Sequence, residues 1–246
     1  MRQFGLIGYP LSHSFSKKYF TEKFERENIA QASYELYPLS SIDAFPALLE
    51  DQPHLVGINV TIPYKQAVIP FLDGLDDSAQ KVGAVNVIKI EQGKKIGFNS
   101  DYYGFKQSLL NSQFPISENI QALVLGSGGA SKAIMAALKD LSIGYKVVSR
   151  NPKGENQVAY QSITTEFIAD YRLIVNTTPL GMYPHAEACP DLPYEAMNES
   201  YLLFDLVYNP AETLFMKKGA DQGAQTINGL EMLHLQAEKA WEIWNR

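Results

Sequence analysis

The sequence predicts an α/β fold, and two observations support that prediction. Short apolar runs alternate with helical patterns along most of the 246 residues, as expected when strands and helices follow one another. Hydrophobic residues make up 46% of the chain and charged residues 20%, a globular composition that excludes a disordered or coiled-coil chain. A chain of this length forms either one large domain or two smaller ones.

The local patterns place the elements in two successive parts, with a boundary near Ser100 and a second α/β unit from about Gln121. In the first part, the patterns predict strands 3–7, 33–39 and 56–60, hairpin strands 85–90 and 94–98, and helices 16–28, 42–50 and after Pro63. In the second part, they predict strands 122–125, 145–148, 173–175 and 202–206, and helices 101–110, 130–141, 211–218 and 230–244.

Charge and composition exclude several functional classes. The formal net charge is −6, so binding of the whole chain to nucleic acid is not expected. No apolar run reaches the length of a membrane-spanning helix, and the first residues lack the pattern of a signal peptide. Cys189 is the single cysteine and the four histidines are scattered, so neither a disulfide nor a metal site is expected, and a cytoplasmic location fits.

A glycine cluster joins a predicted strand to a predicted helix at residues 123–138. Gly126, Gly128 and Gly129 stand where a dinucleotide-binding fingerprint needs a tight turn and a close approach of the backbone to a pyrophosphate. The sixth position of the fingerprint is Ser131 rather than Gly or Ala, and serine is small enough for close packing. A tight strand-to-helix turn without any ligand would give the same glycine pattern.

The next predicted strand runs into Ser149, Arg150 and Asn151 without an acidic residue. NAD sites usually place an acid there to bind the ribose 2′-hydroxyl, whereas Arg150 can pair with a 2′-phosphate, so the pattern favours NADP over NAD. Residues 127–154 contain five basic side chains and one acidic one, which fits a phosphate-bearing ligand or a solvated helix face. An ordinary surface arginine remains the alternative for Arg150.

The first half of the chain carries polar residues at predicted strand ends, where α/β proteins bind ligands. Ser14 and Ser16 lie two residues apart in a loop after the first strand, and Thr61 and Lys65 lie in the segment that leaves the strand at 56–60. Taken singly these signals are weak, because a lone lysine is usually solvent-facing and Asp101 could simply cap a helix.

Nine short motifs together give the sequence a resemblance to the shikimate dehydrogenase family, over nearly the whole chain. In the family's order they are HSFS (13–16), NVTIPYK (59–65), GAVN (83–86), NSD (99–101), GSGGASK (126–132), SRN (149–151), NTTPLGM (176–182), DLVYNP (205–210) and NGLEMLHLQA (228–237).

The resemblance implies two α/β domains around a cleft, the second a Rossmann-type dinucleotide-binding domain. It implies a substrate-binding catalytic domain at 1–100 and 227–246, and an NADP-binding domain at 101–226. The implied reaction is the reversible NADPH-dependent reduction of 3-dehydroshikimate to shikimate in aromatic amino acid biosynthesis. The expected partner is thus a small-molecule substrate, and binding to nucleic acid or to a membrane is not expected. The expected assembly is a monomer or a homodimer.

The family's functional residues transfer onto matching positions of this sequence. Lys65 and Asp101 match the pair to which the family's proton transfer is assigned, with Lys65 either donating the proton or stabilising the oxyanion. Positions that bind the substrate are matched by Ser14, Ser16, Thr61, Asn86, Asp101, Tyr208 and Gln236. Positions near the cofactor are matched by Asp77, Gly126, Gly128, Gly129, Ala130, Ser149, Arg150, Asn151, Lys153, Thr177, Met182, Leu206 and Gly229.

Two other functions stay open from the sequence. One is a quinate/shikimate dehydrogenase that uses NAD, against which Arg150 and the missing strand-end acid argue. The other is a catalytically silent NADP-binding paralogue, against which Lys65 and Asp101 argue.

Overall fold

The computed structural model describes residues 1–11, 14–116 and 119–246, and His13 of the first motif lies outside the described residues. The chain divides into two compact units, Met1–Ser100 with Ala237–Arg246, and Asp101–Gln236. Both units combine a sheet with helices, which confirms the predicted α/β class. Within the described residues, no helix combines the length and the apolar character needed to cross a membrane.

A six-stranded mixed sheet forms the centre of the first unit. Its strands are β1 (Arg2–Gly8), β2 (Ala32–Pro38), β3 (Leu55–Val60), β4 (Gly74–Leu75), β5 (Val87–Glu91) and β6 (Lys94–Phe98). Across the sheet they run in the order β2-β1-β3-β5-β6-β4, with β2, β1 and β3 parallel and β5 and β6 forming the predicted hairpin. The helices between these strands are α1 (Phe15–Arg26), α2 (Phe45–Asp51), α3 (Tyr64–Ala67) and α4 (Asp77–Val82).

Strand β1 is buried on both faces of the sheet, which explains its continuous apolar sequence. Phe4 and Leu6 pack in one core cluster and Ile7 packs in another, because successive side chains of a strand point to opposite faces. The first cluster includes Trp244, whose ring lies 4.9 Å from that of Phe4. The indole nitrogen of Trp244 donates to the carbonyl oxygen of Ile88 (3.0 Å), so the end of the chain packs in the core of the first unit.

The second unit has a parallel sheet of six strands. They are β7 (Gln121–Leu125), β8 (Gly144–Val148), β9 (Gln157–Val158), β10 (Leu173–Asn176), β11 (Leu202–Asp205) and β12 (Gln225–Ile227). Their order, β12-β11-β10-β7-β8-β9, is that of the doubly wound dinucleotide-binding fold, which confirms the Rossmann-type prediction. The helices are α5 (Ser100–Asn111), α6 (Gly129–Asp140), α7 (Thr165–Ile168), α8 (Leu214–Ala220) and α9 (Leu230–Asn245).

The division between the two compact units falls within α9, after Gln236. The domain limit at residue 227, which the family resemblance implies, stays a prediction. Met232 explains why the first turns of α9 belong to the second unit, because its side chain is buried in the same core cluster as Phe105 of α5. Gly104 lets the two helices approach closely, since a Cβ at that position would lie 2.7 Å from the carbonyl oxygen of Met232.

Two helices begin later than their patterns predict. The segment predicted as helix 42–50 starts as a 3-10 turn, and α2 begins at Phe45. The helix predicted at 211–218 begins at Leu214, because the Thr213 side chain accepts a hydrogen bond from the Met216 amide (3.3 Å) and caps it.

Candidate functional site

In the first unit, the ends of β1 and β3 bring two polar loops side by side. The strands are parallel, with Ile7 opposite Val60, and the Thr61 amide donates to the carbonyl oxygen of Ile7 (2.9 Å). Gly8 is needed at this point, because a Cβ there would lie 2.4 Å from the Thr61 methyl group. The loop that leads to Ser14 therefore leaves the sheet beside the segment that leads to Lys65.

Ser14 carries an unsatisfied buried hydroxyl. The residue precedes α1, yet its side chain makes no cap hydrogen bond, and its Oγ is buried without a partner among the described residues. Buried polar groups are nearly always hydrogen-bonded in native proteins, so an orphaned hydroxyl at a strand-end loop fits a ligand oxygen. The geometry favours a binding role for Ser14 over a helix-capping role.

Ser16 has different surroundings, because it begins a buried chain of hydrogen bonds. The Ser16 hydroxyl forms a hydrogen bond with the Tyr34 hydroxyl, which lowers the pKa of the Tyr34 phenol. Burial has the larger effect and raises that pKa. The Tyr34 hydroxyl donates to Oδ1 of Asn59 (2.8 Å), and Nδ2 of Asn59 donates to the carbonyl oxygen of Asn86 (3.2 Å). Nδ2 of Asn86 then donates to Oγ of Ser100 (3.0 Å). The chain links Ser16 to Asn86, two residues that the sequence assigns to the substrate.

Three members of this hydrogen-bond chain were not predicted from the sequence. Asn59 and Ser100 stand in the NVTIPYK and NSD motifs, so those motifs held the signal that identifies them. Tyr34 lies in an alternating strand and carries no sequence signal of its own.

Lys65 and Asp101 each lie near a helix start. Lys65 is the second residue of α3, is partly buried, and its carbonyl oxygen accepts from the Val85 amide (2.7 Å). At the start of α5, Oδ1 of Asn86 accepts from the Ser100 amide (2.6 Å). Asp101 lies within the first turn, where an acidic side chain also interacts favourably with the helix dipole. The pairing of Lys65 with Asp101 stays a prediction.

In the second unit, the glycine turn between β7 and α6 has the geometry that a pyrophosphate needs. Gly126 has a φ of +104°, in the region that favours glycine, and a Cβ there would lie 2.9 Å from Oγ1 of Thr177. A Cβ at Gly128 or Gly129 would meet nothing within 4 Å, so there is space at the start of the 12-residue α6. Ser131 closes the turn by donating to the carbonyl oxygen of Gly128 (2.7 Å). The residues thus fit a bound dinucleotide.

The loop after β8 offers cations and has no acidic residue before Glu155. Oγ of buried Ser149 lies 3.2 Å from Oγ of Ser127 and accepts from the Asn151 amide (3.3 Å), which connects this loop to the glycine turn. Arg150 and Lys153 are exposed, and neither forms an ion pair with any residue that the structure describes. Two available cations and a hydroxyl are the donor set that a phosphate monoester needs.

Asp205 is a fully buried carboxylate at the end of β11. It accepts hydrogen bonds from Nδ2 of Asn176 (2.9 Å), the Val207 amide (3.0 Å) and the Thr213 hydroxyl (2.6 Å). Burial raises its pKa to about 6, although these three hydrogen bonds oppose the shift. One carboxylate therefore connects the ends of β10 and β11 with the start of α8.

Asn176 extends this connection into the loop that contains Thr177. Its Oδ1 accepts from the Thr178 amide (3.1 Å) and hydroxyl (2.7 Å), and its carbonyl oxygen accepts from the Leu206 amide (3.0 Å). Gly229 packs on the same segment, because a Cβ there would lie 2.2 Å from the carbonyl oxygen of Leu206. Thr177, Leu206 and Gly229, all matched to the cofactor by resemblance, are thus close to one another.

The surroundings of five further matched residues differ. Met182 is exposed, and Tyr208 is half-buried, which raises the pKa of its phenol. Gln236 lies on α9 against Gly104. Asp77 lies in the first unit, exposed at the start of α4, where Asp76 and not Asp77 provides the helix cap. Ala130, the second residue of α6, lies beside the glycine turn.

Comparison with known proteins covers both units. Residues 6–88 match the family model "Shikimate dehydrogenase substrate binding domain". The chain is 41% identical to the shikimate dehydrogenase (NADP(+)) of Clostridium beijerinckii, over 99% of the chain and 92% of that protein. It is 36% identical to the shikimate dehydrogenase (NADP(+)) of Methanococcus maripaludis, over 98% of the chain and 90% of that protein.

A solved structure shows the same fold. Shikimate 5-dehydrogenase from Thermus thermophilus, in complex with NADP(H) and shikimate, matches with a TM-score of 0.86 and 32% identity. The match covers 99% of this chain and 93% of that one.

Proposed function

The chain belongs to the shikimate dehydrogenase family, and we propose that it catalyses the reversible, NADPH-dependent reduction of 3-dehydroshikimate to shikimate. The observation that carries the proposal is the 41% identity to an NADP(+)-dependent member over 99% of the chain. The glycine turn with its space at α6, and the available cations after β8, support it independently because both fit NADP.

The first unit would bind the substrate and the second unit the cofactor. The orphaned Ser14 hydroxyl and the Thr61 hydroxyl suit the substrate carboxylate, which needs several donors at once. Ser16 would join them by turning its hydroxyl proton from Tyr34 to the carboxylate. Asn86, held by Ser100, would bind a ring hydroxyl. Tyr208 and Gln236 complete the polar set on the basis of the family resemblance.

Lys65 would act at the oxygen of the substrate ketone. When bound, the reduced nicotinamide supplies a hydride to the ketone carbon, and negative charge grows on the oxygen. The Lys65 ammonium would stabilise that charge and transfer a proton from Nζ to the oxygen, after which solvent restores the proton. Asp101 would keep Lys65 charged and oriented, because a nearby carboxylate favours the ammonium form.

The cofactor would lie along the ends of the second sheet. Gly126, Gly128, Gly129 and Ala130 would face the pyrophosphate, while Ser149, Arg150, Asn151 and Lys153 would bind the 2′-phosphate. Thr177, Met182, Leu206 and Gly229 would line the nicotinamide, with Asp77 as an acid near the cofactor. The net charge of −6 supports a small-molecule enzyme without a nucleic acid partner. We further propose a cytoplasmic enzyme without a membrane partner, working as a monomer or homodimer.

The test is oxidation of shikimate and of quinate, each with NADP and with NAD, by the purified chain. We expect the highest kcat/KM with shikimate and NADP. A higher value with quinate and NAD would instead support the quinate/shikimate dehydrogenase alternative. Binding of NADP without turnover of either acid would support a catalytically silent paralogue.

A further inference from the structure

Tyr160 has a buried hydroxyl that the fold leaves without a partner. It begins a 3-10 turn after β9, and its ring packs against a core cluster of the second unit. Its hydroxyl oxygen is buried and makes no hydrogen bond to any described residue. Orphaned buried hydroxyls are rare in native proteins, and a ligand atom that reached this hydroxyl would supply the missing partner.

The sheet places Tyr160 beside the loop that carries Arg150. Strands β8 and β9 are parallel, with Val148 opposite Val158, and the Ser149 amide donates to the carbonyl oxygen of Val158 (2.9 Å). The chain that leaves β8 toward Arg150 and the chain that leaves β9 toward Tyr160 therefore emerge from the same edge. Ligands of open α/β sheets bind at this edge.

The electrostatics identify the kind of group that Tyr160 would bind. Burial raises the pKa of the Tyr160 phenol, and the positive charge of Arg150 opposes the shift without reversing it. The phenol is therefore neutral near pH 7 and has a proton to donate. Arg150 forms no ion pair with a described residue. A neutral donor and an available cation whose charge acts on it suit an anion with several acceptor oxygens.

We propose that Tyr160 is a further ligand of the cofactor 2′-phosphate, with its hydroxyl donating to a phosphate oxygen next to Arg150. This inference rests on the proposed NADP site and adds a residue to which no role has been assigned. The proposal requires the loop of residues 150–156, all of them exposed, to move on cofactor binding so that a phosphate oxygen reaches the buried hydroxyl. Tyr160 would thus increase the preference for NADP over NAD, which has only a hydroxyl at that position.

The test measures binding to Tyr160→Phe by titration calorimetry, with NADPH, NADH, adenosine 2′,5′-bisphosphate and ADP as ligands. The Kd of NADPH and of adenosine 2′,5′-bisphosphate, which both carry the 2′-phosphate, should rise about tenfold, as for a lost hydrogen bond to a charged group. The Kd of NADH and of ADP should not change. The melting temperature of the free variant should be unchanged or higher, because the lost hydroxyl made no bond.

Tyr171→Phe is the matched control. Tyr171 lies in the same core cluster, stacked on Phe167 at 5.0 Å, and its charged neighbour is Asp170 rather than Arg150. The Tyr171→Phe variant should bind all four ligands as tightly as wild type does. The Tyr160 proposal is wrong if wild type prefers NADPH and Tyr160→Phe retains that preference in full. It is also wrong if the substitution weakens the binding of NADPH and of NADH by the same factor. Equal binding of NADPH and NADH by wild type would overturn the cofactor assignment itself, and the proposal with it.

Discussion

Ser14 and Ser16 lie two residues apart but differ in what their hydroxyl groups contact. Ser14 has no partner among the described residues, whereas Ser16 bonds to Tyr34. Replacing either by Ala should raise the KM for shikimate about tenfold, as for a lost hydrogen bond to a charged group, with kcat nearly unchanged.

The two serine variants should differ in their free energy of unfolding. Ser16→Ala removes an internal hydrogen bond and should lower the free energy of unfolding by about 1 kcal/mol, whereas Ser14→Ala should not lower it. Urea unfolding of the free proteins measures this difference. Unchanged shikimate KM in both variants would show that the loop is only a structural turn.

Lys65 is the residue on which the proposed chemistry depends. Lys65→Ala should lower kcat by roughly 10²–10⁴, the range for loss of a positioned acid or base, while shikimate binding changes much less. Stopped assays of product formation measure kcat, with Lys18→Ala as the control because Lys18 is an exposed lysine on α1. A nearly normal kcat in the Lys65 variant would remove this residue from the mechanism.

At the scale of elements, the loop after β8 should determine which cofactor binds. Arg150→Ala should weaken NADPH binding about ten- to a hundredfold and leave NADH nearly unaffected, because one charge-assisted phosphate contact is lost. Fluorescence titration measures both affinities, and Lys139→Ala, exposed at the other end of α6, is the control. Equal weakening for both cofactors would show that Arg150 does not bind the 2′-phosphate.

The junction of β10, β11 and α8 should make stability depend on pH through Asp205. Its pKa rises from 3.8 to about 6 on folding, so the folded state holds the proton more tightly than the unfolded state. This contribution to stability is present below about pH 4 and is lost as the pH rises through about 6. It is on the order of 2–3 kcal/mol.

Asp205→Asn tests this contribution, because the amide does not titrate. The difference in free energy of unfolding between wild type and variant should change between pH 4 and pH 7, measured by denaturant unfolding at each pH. A difference that is constant over this range would contradict the raised pKa.

The elements also show what sequence patterns can predict. The long helices and central strands carry periodic apolar patterns and lie within a few residues of their predicted positions. Strands β9 and β12 have two and three residues, too few to show a period, so they were not predicted. The contacts of Tyr34 and Asp205 join residues far apart in the chain, and local patterns do not encode such pairs.

At the scale of the whole molecule, the first unit contains both ends of the chain. Trp244 packs against Phe4 at 4.9 Å, so the last turns of α9 complete a core begun by the first strand. The family resemblance implied that the chain returns to the first domain from residue 227, whereas the compact first unit resumes at Ala237. The boundary between the two compact units lies within α9 because Met232, in its first turn, is buried in the core of the second unit.

Reduction of 3-dehydroshikimate by NADPH can be measured directly on this chain. The experiment mixes the purified chain with both compounds, follows NADPH by absorbance, and identifies the product by mass spectrometry. We predict one shikimate formed for each NADPH consumed, a much lower rate with NADH, and almost no shikimate from Lys65→Ala. If folded wild-type protein forms no shikimate, the proposed reaction is wrong. Equal rates with NADPH and NADH would show that the proposed preference for NADPH is wrong.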